Sequence, residues 1–161
     1  MQYRMIRWIL PALTLSSLAV AGEVSVKESD VPGAVIKAAA LRYPSGKMVR
    51  FIRETERGHT SFEIKLEVAG EAVELGVSPT GKLLIEERTI AVSKLPAAVK
   101  KGLASSRFRD ATVRRAEQVT KFSKPDAPSY ELVVEQAGRK IELSFNQQGK
   151  LLTEEPGEDG N

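Results

Sequence analysis

The chain has 161 residues, with 24 lysines and arginines against 21 aspartates and glutamates, and it contains no cysteine. The lack of cysteine excludes a disulfide framework, a cysteine-ligated metal site and a cysteine nucleophile. The formal charge of +3 includes Arg4 and Arg7, and no later segment combines basic residues with aromatic ones, so the composition argues against nucleic-acid binding.

Residues 1–21 have the features of a secretory signal peptide. Two arginines precede an apolar stretch over residues 9–20, and Ala19-Val20-Ala21 forms a small-residue cleavage site. The stretch is shorter than a comfortable transmembrane helix, and no second one follows. We therefore expect an exported protein, periplasmic or secreted, with Gly22 at its mature N-terminus and no stable membrane insertion after cleavage. An uncleaved anchor is the alternative.

Two segments with helical spacing follow, one in each half of the chain. Asp30 and Ser93 are the expected N-caps, and each is followed shortly by a proline, which the first helical turn tolerates. Tyr43-Pro44 should end the first helix, because a residue before proline is disfavoured in the helical conformation. The apolar positions at helical spacing are Val31, Val35, Ala38 and Ala39 in the first segment, and Leu95, Ala98, Val99 and Leu103 in the second.

After each helix, apolar and polar residues alternate, which is typical of antiparallel strands with one buried and one wet face. Ala69-Gly70 and Ala137-Gly138 fall where tight hairpin turns are needed. The extended segments are expected over residues 48–55, 62–68, 73–77 and 83–85, and again over 112–120, 130–134, 141–145 and 151–152.

The two halves share a near-identical string. Gly81–Glu87 reads GKLLIEE and Gly149–Glu155 reads GKLLTEE, which indicates an internal duplication. Both glycines should occupy equivalent turns with backbone angles that are poor for other residues. Replacing Gly149 by valine is then expected to cost ~1 kcal/mol or more.

The alignment of the copies contains one insertion. Val31 aligns with Leu95 at an offset of 64, whereas Phe62 aligns with Tyr130 at an offset of 68. The four extra residues are assigned to a lengthened hairpin loop at 122–128, which is rich in loop-forming residues.

These patterns predict an α+β fold of two tandem αβββ repeats, in which one antiparallel sheet carries both helices on the same face. The expected boundaries are 1–21 for the signal peptide, 22–90 for the first repeat and 91–155 for the second. Residues 156–161 are expected to form a disordered acidic tail, because they contain no apolar side chain apart from proline and glycine.

The organisation resembles the PepSY family, more closely its PepSY-like branch, whose tandem repeats are similar to the β-lactamase-inhibitor-protein fold. The resemblance implies a secreted or periplasmic, non-catalytic domain. Relatives occur in propeptides of secreted metallopeptidases, which implies a protein partner such as a peptidase. The residues that carry the resemblance are the helix start 95–100, the strand core 130–132 and the turn and strand 149–152, with their partners at 31–36, 62–64 and 81–84.

No residue set in the sequence predicts a catalytic, metal or cofactor site. His59, the single histidine, stands beside Gly58 in a predicted turn without ligand-spaced partners, so we interpret it as an exposed turn residue. Glu86-Glu87 and Glu154-Glu155 are adjacent on strands and must point to opposite faces, so we interpret both pairs as solvated strand ends. Nucleophile elbows and phosphate-binding loops are missing from the sequence.

The wet face of the sheet is the candidate binding surface. It should present Glu63, Lys65 and Glu67 in the first copy and Glu131, Val133 and Glu135 in the second, with Glu74 and Glu142 beside them. Val133 should be exposed there and is the one apolar residue that hints at contact. Mixed charge of this kind is also typical of solubility and cross-strand pairing alone.

The first functional hypothesis is an exported module that binds or restrains another extracytoplasmic protein, such as a peptidase. The alternative is an extracytoplasmic sensor or carrier for a small ligand or a cation. A structural envelope protein ranks third and an enzyme last. The sequence leaves the oligomeric state and the strand order between the copies open.

Overall fold

Nine antiparallel strands form one continuous meander in which each strand pairs with the next along the chain. The computed structural model describes residues 22–125 and 127–157, so the predicted signal peptide and the last four residues lie outside the described residues. The elements are β1 (Gly22–Val26), α1 (Gly33–Arg42), β2 (Lys47–Glu56), β3 (His59–Val68), β4 (Glu71–Val77), β5 (Leu83–Thr89), α2 (Ala97–Ala104), β6 (Thr112–Lys121), β7 (Ser129–Gln136), β8 (Arg139–Asn146) and β9 (Leu151–Pro156).

Four strands follow each helix, whereas the predicted αβββ unit has only three. The sequence interpretation expects residues 83–85 to be extended but counts only three strands in each unit. In the structure this segment continues to Thr89 and pairs with β4 on one side and β6 on the other. Residues 86–89 are all polar, so the alternation of apolar and polar residues stops there. The sequence therefore does not indicate that the strand continues through them.

The helix caps also differ from the prediction. Pro32 and Pro96 occupy the N-cap positions, and neither helix has a side-chain cap. Asp30 and Ser93 lie in short 3₁₀ turns that precede the helices. Each proline stands in an extended conformation between that turn and the helix, which leaves the predicted cap too far upstream to reach the first helical N–H groups. The predicted end of the first helix before Tyr43-Pro44 is confirmed.

The tight turns between neighbouring strands contain residues with positive φ angles. Ala69-Gly70 has φ values of 51° and 83°, and Ala137-Gly138 has 50° and 74°. Both central residues of these two-residue turns are left-handed, which matches the twist of the flanking strands. The predicted hairpins are confirmed, and another turn of the same kind lies at Arg57-Gly58, where the second copy has a longer connection between β6 and β7.

The repeated glycines occupy equivalent turns, as expected. Gly81 has φ of +84° and Gly149 has φ of +80°. Each amide donates to the residue three positions earlier, Gly81 to the carbonyl of Ser78 and Gly149 to that of Asn146, at 2.9 Å in both cases. The turns therefore lead β4 into β5 and β8 into β9 in the same way.

Two apolar cores lie side by side beneath the helices. In the first, Val35 and Ala39 of α1 pack with Ile64, Leu75 and other residues of β2–β4. In the second, Val99 of α2 packs with residues of β6–β8 that include Leu132, Leu143 and Phe145.

Strand register shows that both cores lie on one face of the sheet. Residues directly opposite in an antiparallel pair have side chains on the same face. Leu75 of the first core is opposite Glu86, which is opposite Thr120. Two residues away on β6, Gln118 shares that face and lies opposite Tyr130 of the second core. The prediction of helices on one face is confirmed, and we call this face the helix face and the other the open face.

The C-terminal strand extends further than expected. Pro156 is the last residue of β9, and the amide of Gly157 donates to the carbonyl of Lys140 at 2.8 Å. The predicted disordered tail therefore begins too early, because main-chain pairing with β8 orders this end without any apolar side chain. Within the described part of the chain, helices are too short and too polar to cross a membrane.

Candidate functional site

The open face concentrates negative charge. The cross-strand register places these glutamates on it: Glu23, Glu54, Glu56, Glu63, Glu67, Glu74, Glu87, Glu117, Glu131, Glu135, Glu142 and Glu155. The basic residues on the same face are fewer: Lys47, Arg50, Lys65, Arg115, Lys121 and Lys140, together with Arg114, which donates to Glu135 from a β-bulge. This face is therefore acidic, although the chain as a whole is close to neutral.

The remainder of the molecule carries an excess of basic side chains. The described residues contain 18 acidic and 22 basic side chains, so six acidic and fifteen basic ones remain for the helices, the helix face and the loops. We call this region the helix side. Charge of opposite sign on the two sides of one sheet creates a field that can orient a charged partner before contact.

Four pairs of glutamates stand directly opposite each other on neighbouring strands of the open face. Like charges in this position destabilise a sheet, whereas opposite charges stabilise it. Cross-strand charge pairing, which the sequence suggests, occurs on the same face between Lys65 and Glu74 at 2.9 Å. The pairs of glutamates, which we call the glutamate stripe, are Glu23–Glu54, Glu74–Glu87, Glu117–Glu131 and Glu142–Glu155.

The six residues predicted for the binding surface all lie on the open face, but two differ from expectation in exposure. Glu63 is only 1% exposed, although it was expected to be solvated. Val133 is half-buried and not prominently exposed. Lys65, Glu131 and Glu135 are half-buried, and Glu67 is exposed.

The burial of Glu63 follows from its neighbours in the cross-strand row. It lies between Ile52 of β2 and Gly76 of β4, and Ile85 of β5 is next in that row. Both isoleucines are buried and belong to neither core, so Glu63 sits in a second apolar environment on the open face. The sequence did not reveal this environment, because the row is assembled from four separate strands.

Glu63 has an unusual electrostatic setting. The Nζ atom of Lys65 is 3.4 Å from one Glu63 oxygen but donates its hydrogen bond to Glu74 at 2.9 Å. Neither Glu63 oxygen has a hydrogen-bond partner among the described residues. Burial, with a further contribution from the charge of Glu74, raises the pKa of Glu63 to about 8. The folded protein therefore holds this carboxyl protonated at neutral pH.

The paired glutamates of the repeated string are not equivalent solvated strand ends. Glu86 is 7% exposed on the helix face, where the Nε atom of Arg42 donates to it at 2.8 Å. In the second copy, Glu154 pairs with Arg107 in the same manner but on the surface. The interpretation as solvated ends is therefore wrong for the first copy. Its partner is 44 residues away in sequence, so local spacing gave no signal.

Replacing Arg42 by methionine should lower the free energy of unfolding by about 1–2 kcal/mol, because buried Glu86 would lose its charged hydrogen bond. The estimate lies below that for a fully buried pair, since the Arg42 side chain is 43% exposed. Arg107→Met is the matched control and should cost less than ~1 kcal/mol, as for other exposed ion pairs. Urea unfolding measures both, and equal losses would contradict the structural difference between the two copies.

The described residues give no geometric support for metal or histidine chemistry. They contain no group of three histidine, cysteine or acidic side chains arranged to hold a metal ion. His59 is exposed at the first position of β3, next to the turn, as expected.

A two-layer α+β protein with a duplicated helix-and-sheet unit and an acidic open face is the class that these features define. A family model described as "Putative beta-lactamase-inhibitor-like, PepSY-like" matches residues 20–85 and 83–153. The chain therefore belongs to this PepSY-like family, and the two matches correspond to its two halves. No curated protein matches the sequence significantly.

Solved structures share the fold at low sequence identity. A "putative periplasmic" protein from Bacteroides eggerthii has a TM-score of 0.68 and 18% identity, over 78% of this chain and 88% of that chain. A BLIP-like protein from Bacteroides fragilis has a TM-score of 0.65 and 21% identity, over 81% and 89%. A DUF2874 family protein from Bacteroides uniformis has a TM-score of 0.68 and 15% identity, over 78% and 89%. At these identities the likeness concerns the fold.

Proposed function

We propose that this protein is an exported, non-catalytic PepSY-like protein whose open face binds or restrains another extracytoplasmic protein, such as a peptidase. The glutamate stripe is the observation that carries the proposal. It places glutamates opposite one another on four pairs of strands, an arrangement that neither solubility nor cross-strand pairing requires.

The fold and the comparisons favour a protein ligand over a small one. The stripe runs from the β1–β2 pair at one edge of the sheet to the β8–β9 pair at the other. Such a surface suits contact with another macromolecule, whereas small-molecule sites are concave pockets with a few convergent polar groups. The similar structures include a BLIP-like protein and a protein described as periplasmic, which supports partner binding outside the cytoplasm.

Affinity capture tests this function. The exported protein, immobilised through a C-terminal tag, should retain a discrete protein from periplasmic extract or culture supernatant. If that protein is a peptidase, its activity should fall on binding. The proposal would be wrong if no specific protein is retained and no secreted peptidase is inhibited. A melting-temperature rise of several degrees with one divalent ion or small metabolite, without a retained protein, would favour the alternative ligand-binding function.

A further inference from the structure

We infer that the outer edge of β9 binds an extended segment of a partner protein, which pairs antiparallel with β9 and adds one more strand to the nine-stranded sheet. The segment has the residue pattern of β6, with an apolar residue opposite Leu152 and no acidic residue opposite Glu154 or Glu155. The site is the edge of the sheet and not the open face, so the inference goes beyond the proposed function and does not depend on it.

The internal duplication shows what kind of element fits this edge. The strand β5 is the counterpart of β9 in the first half of the chain, since each follows one of the repeated glycine turns. Within the described part of the chain, β9 pairs with β8 alone, whereas β5 pairs with β4 on one side and with β6 on the other. The molecule therefore contains, at β5, a filled version of the edge that is open at β9.

Side chains that are covered on β5 are exposed on β9. Leu84 is half-buried beside β6, and Leu152 at the equivalent position is 51% exposed. Likewise Glu86 is 7% exposed, whereas its counterpart Glu154 is exposed. An edge strand presents main-chain groups with which another chain can pair, and Leu152 places apolar surface next to those groups.

The pairing of β5 identifies which main-chain groups of β9 point outward. The carbonyl of Leu84 accepts a hydrogen bond from the amide of Phe122 at 3.0 Å, so Leu84 faces β6. Alternate residues of an antiparallel strand face the same neighbour. The offset of 68 between the copies transfers this pattern to β9, where Leu152, Glu154 and Pro156 face outward.

The available edge is short. At one end, the amide of Lys150 already donates to Oδ1 of Asn146 at 2.9 Å. At the other end, Pro156 has no amide hydrogen, and a proline of this kind limits pairing along an edge. A docked strand is therefore confined to the main-chain groups of Leu152 and Glu154 and the carbonyl of Pro156. So few hydrogen bonds and one apolar contact are typical of a weak, reversible complex.

The strand β6 is the pattern for the partner segment. Its residues Thr120 and Val119, which carry no charge, lie opposite the two glutamates of β5, and the aromatic Phe122 follows them. Like charges in directly opposed positions destabilise a sheet, so acidic residues at the first two positions are disfavoured. The partner should therefore present an apolar residue opposite Leu152, with residues that lack negative charge two and three positions before it.

The probe is a capped peptide with the sequence of residues 117–124, which contains the part of β6 that pairs with β5. When the isotope-labelled protein is titrated to millimolar peptide, we expect the NMR signals of the Leu152 and Glu154 amides to shift. The amides of Glu23 and Ser25 on the other edge strand are the control. Because β1 lies beside β2 as β5 lies beside β6, its outer edge corresponds to the side of β5 that faces β4.

Two N-methylated forms of the peptide test the pairing without any change in the protein. The amide of Thr120 faces β5 in the sheet, as that of Phe122 does, whereas the amide of Val119 faces β7. Methylation at Thr120 should lower the affinity about fivefold or more, because a main-chain hydrogen bond is lost. Methylation at Val119 should change the affinity less than about twofold.

Several results would overturn the inference. These are no shift at Leu152 and Glu154 with the unmodified peptide, shifts confined to β1, or equal effects of the two methylations. Shifts at β9 that depend on the protein concentration alone would also overturn it, because they would assign the edge to a second copy of the chain. Each of these outcomes leaves the proposed function of the open face intact, since the affinity capture tests that function separately.

Discussion

Replacing Gly149 by alanine should lower the free energy of unfolding by about 3 kcal/mol or more, whereas Gly138→Ala should cost about 1 kcal/mol. The two glycines have similar backbone angles, with φ of +80° and +74°, so the conformational strain is matched. They differ in their surroundings. A Cβ atom at Gly149 would overlap the carbonyl oxygen of Ala98 in α2, whereas one at Gly138 would have no atom within 4 Å.

The overlap explains why the turn and the helix depend on each other. The turn at Gly149 lies against the main chain of α2, and Gly102 of that helix in turn approaches the carbonyl of Gly149. Neither backbone can move away without disturbing the second core, since Val99 follows Ala98 directly and is fully buried. Urea unfolding measures the free energies. Similar losses for the two variants would show that the turn does not pack on α2 as described.

Glu63→Gln should stabilise the protein above pH 8, by an amount of the order of 2–3 kcal/mol, and should have little effect near pH 4. The pKa of Glu63 is raised from 4.5 to about 8 in the folded protein, chiefly by burial. Between these values the folded protein holds a proton that the unfolded chain releases. The stability of the wild-type protein should therefore fall as pH rises through this window, and glutamine lacks this ionisation.

Glu67→Gln is the matched control, because Glu67 lies on the same strand and the same face but is exposed. Its stability profile should run parallel to that of the wild-type protein between pH 4 and 9. Thermal or urea unfolding across this range gives the three curves. If the Glu63→Gln and wild-type curves are also parallel, the carboxyl of Glu63 titrates in its ordinary range and its environment is not as described.

Local features of the fold were predictable from the sequence because their causes are local. The helical spacing of Val35 and Ala39, and of Val99 in the second copy, predicts which side chains reach the cores, and all three are buried. The hairpin at Ala137-Gly138 is predictable because a tight turn between two alternating segments needs left-handed residues. Because the sequence is duplicated, a helix or turn that is predicted in one half of the chain is also predicted in the other.

Features that depend on register were not predictable. The sequence shows that Glu131 shares a face with Glu135, but it does not show that Glu131 lies opposite Glu117. The same limit applies to Glu63, whose burial depends on Gly76 and on isoleucines of two other strands. Pairing across strands is a long-range property, and a shift of one residue would move every side chain to the other face. The candidate site could therefore be identified only from the structure.

Binding of an extracytoplasmic protein through the open face is tested most directly by repeating the affinity capture with two triple variants of equal charge change. The open-face variant combines Glu23→Gln, Glu131→Gln and Glu142→Gln, and the helix-side variant combines Glu28→Gln, Asp30→Asn and Asp110→Asn, which are all exposed. The wild-type protein and the helix-side variant should retain the same discrete protein, because Glu28, Asp30 and Asp110 lie away from the open face. The open-face variant should lose at least about nine-tenths of that protein, as expected for a tenfold loss of affinity at a subsaturating concentration. Equal retention by all three proteins, or loss only in the helix-side variant, would contradict the assignment of the open face as the binding surface.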